Sequence, residues 1–246
     1  MTDIEIRTMS RSELDWAVEM AAREGWNPGL HDADAFYAAD PDGFMIALRN
    51  GEPVGCVSAV DYGNFGFIGF YIVCAALRGG RIGIELGNAA MDRLKDKIIG
   101  VDGVFDKQDA YSHIGGFEYA WSNIRYVGRN MFAGVPGASA IVPAAEVPFE
   151  IIEEYDQRHF PVPRPEFLRA WLNLPESVAL VMKENKGDGI LGYGVIRKCR
   201  SGYKIGPLFA EQQIVAEMLF IAFCATAEPE AEIYLDVPDA NRDAMT

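Results

Sequence analysis

Gly69-Phe-Tyr-Ile-Val-Cys-Ala-Ala-Leu-Arg78-Gly-Gly-Arg-Ile-Gly83-Ile-Glu-Leu86 reads as an apolar strand, a short turn of glycine and arginine, and the opening of a helix. The helical period continues through Ile82, Leu86, Ala89, Ala90, Arg93 and Leu94. At such a helix start the first backbone N–H groups lack intrahelical partners, and the aligned peptide dipoles add partial positive charge. An anion is favoured there, and glycine lets a phosphate come close. Two common phosphate fingerprints fail at this turn: there is no G-x-x-x-x-G-K-[ST], and Gly79, Gly80 and Gly83 do not form G-x-G-x-x-G. The competing reading is an ordinary strand-to-helix turn with exposed arginines.

Upstream, Ile4-Glu-Ile-Arg-Thr8 alternates like a first strand. Ser10-Arg-Ser-Glu13 is a capping box opening a helix with Leu14, Ala17, Met20 and Ala21 on one face and Gly25 as its stop. A second short helix begins near Asp32. Phe44 to Arg49, Val54 to Tyr62 and Gly66 to Ala75, joined by Asn50-Gly51 and Gly63-Asn64, form a meander leading into the turn. Downstream the helix runs to about Lys97, Val101 to Phe105 reads as a strand, a short helix follows, and Phe117 to Val127 returns as a last strand.

From Gly128 to Pro148 the chain turns to glycine, proline and alanine. The expected organisation is a first domain at 1–130, a connection at 131–148 and a second domain at 149–246. The second has a helix at Pro165 to Leu172 and strands at Val178 to Glu184 and Ile190 to Arg197, joined by Asn185-Lys-Gly-Asp-Gly189. A strand at Tyr203 to Leu208, a helix from Glu211 to Ala225 and a strand at Glu232 to Val237 complete it. Met45-Ile-Ala-Leu, Gly51 and Val54-Gly-Cys-Val parallel Ala179-Leu-Val-Met and Gly189-Ile-Leu-Gly-Tyr-Gly-Val, so the halves read as diverged copies.

With 246 residues and 50% hydrophobic content the chain supplies real cores. Its N-terminus lacks the order of a signal peptide, and its longest apolar run is too short to span a bilayer, which points to the cytoplasm. Cys56, Cys74, Cys199 and Cys224 are far apart without histidines at ligand spacing, so neither a metal site nor a disulfide framework is expected. The net charge of −14 argues against nucleic acid and anionic membranes as partners. Residues 1–76 carry 4 basic against 12 acidic side chains, whereas 77–97 carry 5 basic (Arg78, Arg81, Arg93, Lys95, Lys97) against 3 acidic. That basic island suits a polyanion, and the acidic remainder suits a cationic acceptor or simply solubility.

The turn resembles the acyl-CoA loop of the GNAT superfamily of N-acetyltransferases, Arg/Gln-x-x-Gly-x-Gly/Ala after a strand. Arg78, Gly79, Ile82 and Gly83 fit that register, and Arg81 stands at the middle glycine. Gly192-Tyr-Gly-Val-Ile-Arg197-Lys-Cys-Arg200-Ser-Gly-Tyr203-Lys-Ile-Gly-Pro207-Leu-Phe-Ala210, Tyr234-Leu-Asp-Val-Pro238 and Asn241 are similar to the C-terminal domain of YitH-like acetyltransferases. Phe67-Ile-Gly-Phe-Tyr-Ile-Val73, Asp102-Gly-Val and Asn123-Ile-Arg-Tyr126 resemble that family in the first half. The resemblance implies a mixed, mostly antiparallel α/β sheet flanked by helices, followed by a second, smaller GNAT-like domain. Related chains continue beyond the region of Asn241, so this second domain is expected to be short or truncated.

The resemblance further implies acetyl-CoA as donor, held by Arg78, Gly79, Gly80, Arg81, Ile82 and Gly83, with the Ile72 and Val73 backbone pairing with the pantetheine arm. Only the first half carries such a loop, since Gly206-Pro-Leu-Phe-Ala-Glu-Gln stands at the corresponding place in the second. Arg81 either opens the loop or adds a forked contact to the pyrophosphate. Many relatives use a tyrosine after the fifth strand as proton donor, which points to Tyr111 in Gln108-Asp-Ala-Tyr111-Ser-His-Ile-Gly-Gly-Phe117. The usual Tyr-x-x-x-Gly-Phe spacing falls on Ser112 unless Gly115-Gly116 absorbs one residue. His113, Glu118 and Asp61 are weaker candidates. For an amine of a small molecule or peptide, Trp26, Asp32, Asp34 and Tyr37 offer carboxylates and a cation–π wall; the alternative is helix capping by Asp32 with the aromatics in the core. Arg197, Tyr203 and Lys204 either shape a cleft or stabilise a hairpin. A non-catalytic sensor of CoA or a metabolite, and a purely structural tandem module, are the competing functional classes.

Overall fold

The structure is a computed structural model describing residues 4–113, 115–134, 140–184 and 187–245. It divides into two compact units, Met1–Trp26 with Phe36–Tyr119, and Asn27–Ala35 with Ala120–Thr246. In chain order the first elements are β1 (Ile4–Thr8), α1 (Arg11–Arg23), α2 (Asp32–Ala39), β2 (Phe44–Arg49), β3 (Glu52–Asp61) and β4 (Phe65–Val73). Then come α3 (Arg81–Leu94), β5 (Ile98–Val101) and α4 (Gln108–His113).

Local chemistry accounts for these elements. The Ser10 N–H donates to Glu13 Oε2 at 2.8 Å and the Glu13 N–H reaches Ser10 Oγ at 3.4 Å, closing the capping box of α1. Leu14, Ala17, Met20 and Ala21 are buried on its inner face. Asn50 and Gly51 both take positive φ, 54° and 82°, as a two-residue hairpin turn of matching twist demands. The first sheet has the order β1-β2-β3-β4-β5, antiparallel except for β4 and β5. Ile82, Leu86, Ala90 and Leu94 of α3 pack on it with Ala47, Val57, Ala59 and Ile68. β4 pairs with β5 only from Phe65 to Ile68, and the β3–β4 register shifts where Phe70 takes a φ of 45°.

The second unit carries β6 (Asn123–Arg129), β7 (Ile141–Pro143), α5 (Phe149–Asp156), α6 (Pro165–Leu172), β8 (Ser177–Lys183) and β9 (Ile190–Lys198). β10 (Tyr203–Ala210), α7 (Gln213–Thr226) and β11 (Glu232–Pro238) follow. Its sheet runs β6-β11-β10-β9-β8-β7, with β10 and β11 parallel and α7 packed on Ile196, Ile205 and Ile233. Both sheets therefore share one plan: an antiparallel meander, a helix, then a parallel strand.

Three placements differ from the sequence reading. The strand expected to finish the first sheet begins at Asn123 and pairs with β11 along its whole length, Asn123↔Pro238 to Arg129↔Glu232. Arg125 locks that register by a two-pronged bond to Asp236 at 2.7 and 2.8 Å, and the buried Asn130 amide satisfies the C-terminal carbonyls of Cys224, Ala227 and Glu228. The expected connection supplies the edge strand β7, and α5, unanticipated, buries Ile152 and Tyr155. With β6 and β7 included, the second sheet has six strands against five among the described residues, so the second domain is not the smaller. Residues 135–139 of the expected connection, Asn185 and Lys186 of the expected hairpin loop, and Thr246 lie outside the described residues.

Candidate functional site

The turn between β4 and α3 is built from backbone. The Cys74 N–H donates across to Val54 O at 2.9 Å. By the alternation of an extended strand, the neighbouring Val73 peptide then faces the other way, toward the side of β4 that β5 leaves uncovered beyond Ile68. The Val73 carbonyl on that side accepts from Arg78 Nε at 2.9 Å, and the Arg78 guanidinium also bonds Glu24. Of the expected pair Ile72 and Val73, it is therefore the Val73 N–H that faces the side of β4 left unpaired by β5.

Gly79 has a φ of 78°, which an L side chain resists, and a methyl group there would meet no atom within 4 Å. Gly80 is the N-cap of α3 with no side chain capping it, and a methyl there would meet only Leu77 O, at 3.6 Å. The first N–H groups of α3, at Arg81, Ile82 and Gly83, thus follow two glycines and have no side-chain cap at Gly80, an arrangement suited to an anion. Arg81 lies in the helix and not in the turn. As first residue of α3 it swings along the helix to Glu85, Nε to Oε1 2.9 Å, with its side chain 81% exposed.

α4 places Tyr111 half-buried, its ring edge-on to Phe117 with centroids 6.4 Å apart. A methyl group on Gly103 would lie 2.6 Å from that ring, so glycine is what admits it. The Gly115 and Phe117 N–H groups both donate to Tyr111 O, at 3.1 and 3.2 Å, and Gly116 takes a φ of 70°. These bonds close the end of α4, with Tyr111 half-buried and Ser112 exposed. Burial, with smaller contributions from Tyr71 and Asp102, pushes the Tyr111 phenol above its ordinary range. His113 is exposed and turned back to Asp109 O at 2.8 Å, Asp61 is paired with Lys97 at 2.9 Å, and Glu118 is exposed.

Residues 11–110 match the acetyltransferase (GNAT) family and residues 152–246 an acetyltransferase (GNAT) domain. The holothin acyltransferase of Pseudoalteromonas sp. (strain SANK 73390) is 31% identical over 228 residues, 91% of this chain and 76% of that protein. The chain belongs to the GNAT acetyltransferase family. Among solved structures, a Pyrococcus horikoshii protein described as an acetyltransferase superposes with a TM-score of 0.79 at 21% identity, over 98% of this chain and 82% of that one. A tandem GNAT protein from the clavulanic acid biosynthesis pathway superposes with a TM-score of 0.64 at 12% identity, over 99% and 92%. At these identities the likeness concerns the fold, two GNAT domains in tandem.

In this GNAT protein the four residues expected to hold an amine differ in exposure and contacts. Trp26 packs on Phe70, centroids 6.5 Å apart, in a cluster that Phe36 and Phe44 complete. Tyr37 is half-buried and Asp34 exposed. Asp32 is not available to a substrate: it is 2% exposed, its Oδ1 accepts from Arg197 Nε at 2.7 Å, and its Oδ2 accepts the Gly29 N–H at 2.8 Å. Arg197 stacks over the Trp171 ring at 4.5 Å, so this carboxylate is structural. Arg197 and Lys204 face each other as cross-strand partners, both buried, in the β9–β10 hairpin.

Cys56, Cys199 and Cys224 are buried and Cys74 is half-buried, all free, and burial pushes the Cys56 thiol up to about 12. Among the described residues no cluster of three or more His, Cys, Asp or Glu could hold a metal, and no helix is long and apolar enough to cross a membrane. One residue at the turn escaped the sequence reading: Tyr71, whose hydroxyl bonds Gly83 O. Its alternation with Val73 placed it toward α3, but nothing in the sequence announced the bond.

Proposed function

We propose that the protein is a cytoplasmic acetyl-CoA-dependent N-acyltransferase acting on an amine of a small molecule or peptide by direct attack, with a second domain of the YitH-like type. The observation that carries the reading is the combination, on consecutive elements, of a glycine-lined helix start without a side-chain cap and a strand whose Val73 N–H faces the side that β5 leaves unpaired. The Arg81, Ile82 and Gly83 N–H groups would receive the diphosphate of CoA, and the unpaired side of β4 at Val73 the pantetheine arm. The neutral amine attacks the thioester carbonyl carbon and the Val73 N–H receives the oxyanion. As the C–N bond forms and the C–S bond breaks, Tyr111 gives its proton to the departing thiolate and recovers one from solvent, while the amine loses its own to solvent. A phenol is protonated and able to donate at neutral pH, and burial raises that of Tyr111 further.

Calorimetric titration with acetyl-CoA is expected to give a dissociation constant below about 1 mM, and thiol release should follow on adding the right amine. Absence of binding at that concentration removes the reading. Binding without thiol release across a broad panel of amines, holothin among them given the relative's name, would favour a CoA sensor. Arg81→Ala tests whether the guanidinium stays with Glu85. Because that pair is exposed, CoA affinity is expected to change less than about threefold, whereas a loss of tenfold or more would show that Arg81 leaves Glu85 for the diphosphate.

A further inference from the structure

Tyr71 stands between the two parts of the turn, and two glycines one helical turn apart form its seat. It shares with Val73 the face of β4 that packs against α3. Its hydroxyl donates to Gly83 O, in the first turn of α3. A carbonyl oxygen has two lone pairs, so this bond does not require the helix to unwind. A methyl group on Gly87 would lie 2.6 Å from the Tyr71 hydroxyl oxygen and one on Gly83 3.9 Å, so the phenol reaches the helix backbone only because position 87 has no side chain. Burial raises the phenol's pKa, with the Gly87 backbone opposing, so the group stays a donor at neutral pH.

A phenylalanine would fill the same space against Leu86 and its neighbours. What the hydroxyl adds is a tie between two separate elements: the strand presenting the Val73 N–H and the helix presenting the N–H groups of Arg81 to Gly83. A ligand touching both must match the distance between them, and small errors in such a distance are costly to a reaction. We propose that Tyr71 is a positioning residue: its bond to Gly83 sets the spacing between the β4 peptide that receives the thioester and the α3 N-terminus that receives the diphosphate. This rests on the acyl-CoA reading of the turn.

Two ligands separate spacing from general weakening. CoA spans both elements, whereas ADP carries the diphosphate without the pantetheine arm. Tyr71→Phe is expected to weaken CoA about five- to tenfold by calorimetry, the worth of one hydrogen bond, and to raise KM for acetyl-CoA more than it lowers kcat. ADP affinity is expected to stay within about twofold of the unmodified protein's, which also reports that the helix start is intact. Gly87→Ala keeps the phenol but removes its seat. Alanine favours helix over glycine, so if Tyr71 merely steadied α3 this variant would bind CoA at least as well as the parent; the proposal expects the Tyr71→Phe loss instead. Equal losses for CoA and ADP, an unchanged CoA affinity in Tyr71→Phe, or parental CoA affinity in Gly87→Ala would each overturn it. If the unmodified protein binds neither CoA nor ADP, the acyl-CoA reading itself fails, a result distinct from these.

Discussion

Tyr111→Phe is expected to lower kcat by about 10²- to 10³-fold, the range of a positioned general acid, with little change in the dissociation constant for CoA. The variant keeps the ring that fills the space beside Gly103 and Phe117, so the fold of α4 and its glycine-closed end should survive. Only the proton for the departing thiolate is lost. The pH profile gives a second readout. An acid must be protonated to act, so its contribution is present below its pKa and disappears above it; because burial lifts this phenol above its ordinary value of about 10, the parent's activity should hold through neutral pH and fall only in strongly alkaline solution. In Tyr111→Phe that alkaline fall should vanish. An unchanged kcat, or a tenfold or greater loss of CoA affinity, would remove Tyr111 from the chemistry, and Ser112→Ala would then test the alternative spacing.

Asp32→Ala should be the most damaging change to stability, costing about 3–5 kcal/mol as half of a buried ion pair. Arg197, with its side chain 11% exposed, would be left beside Trp171 without its carboxylate, and the Gly29 N–H would lose its acceptor. The measurement is the urea midpoint of the full chain. Because the damage comes from the charge left behind, Asp32→Ala combined with Arg197→Met should recover more than half of the loss, and a double-mutant cycle gives the coupling directly. A loss below about 1 kcal/mol, accompanied by a raised KM for the amine, would return Asp32 to the substrate. The two readings of this aspartate therefore predict effects on different quantities.

Elements decided by neighbours in sequence were legible from sequence. The capping box needs only Ser10 and Glu13, the β2–β3 turn needs only Asn50 and Gly51, and the helix start at Gly80 needs only a glycine-rich turn after a strand. Partners distant in sequence were not. The alternation of Asn123 to Arg129 shows a strand without saying which edge it joins, and the register with β11 is fixed by Arg125 meeting Asp236, 111 residues away. Asp32 met its fate in the same way, through an arginine 165 residues away that no local pattern indicates. α5 was hidden because Pro148 ends a run of glycine, proline and alanine that reads as a connection, although Ile152 and Tyr155 of that helix are buried.

The sequence by itself determined two α/β halves of one plan, a glycine and arginine turn at a helix start, and the residue types on which the proposed diphosphate site and proton donor rest. Each is written in spacing, since backbone propensity, capping and turn chemistry act over a few residues. The tertiary structure alone decided that β6 joins the second sheet, that Asp32 holds Arg197, that Arg81 lies along its own helix, and that Tyr71 reaches Gly83 across the seat at Gly87. Those outcomes depend on which buried charge finds a partner and which side chain fits a gap, and both are settled only when distant segments pack together.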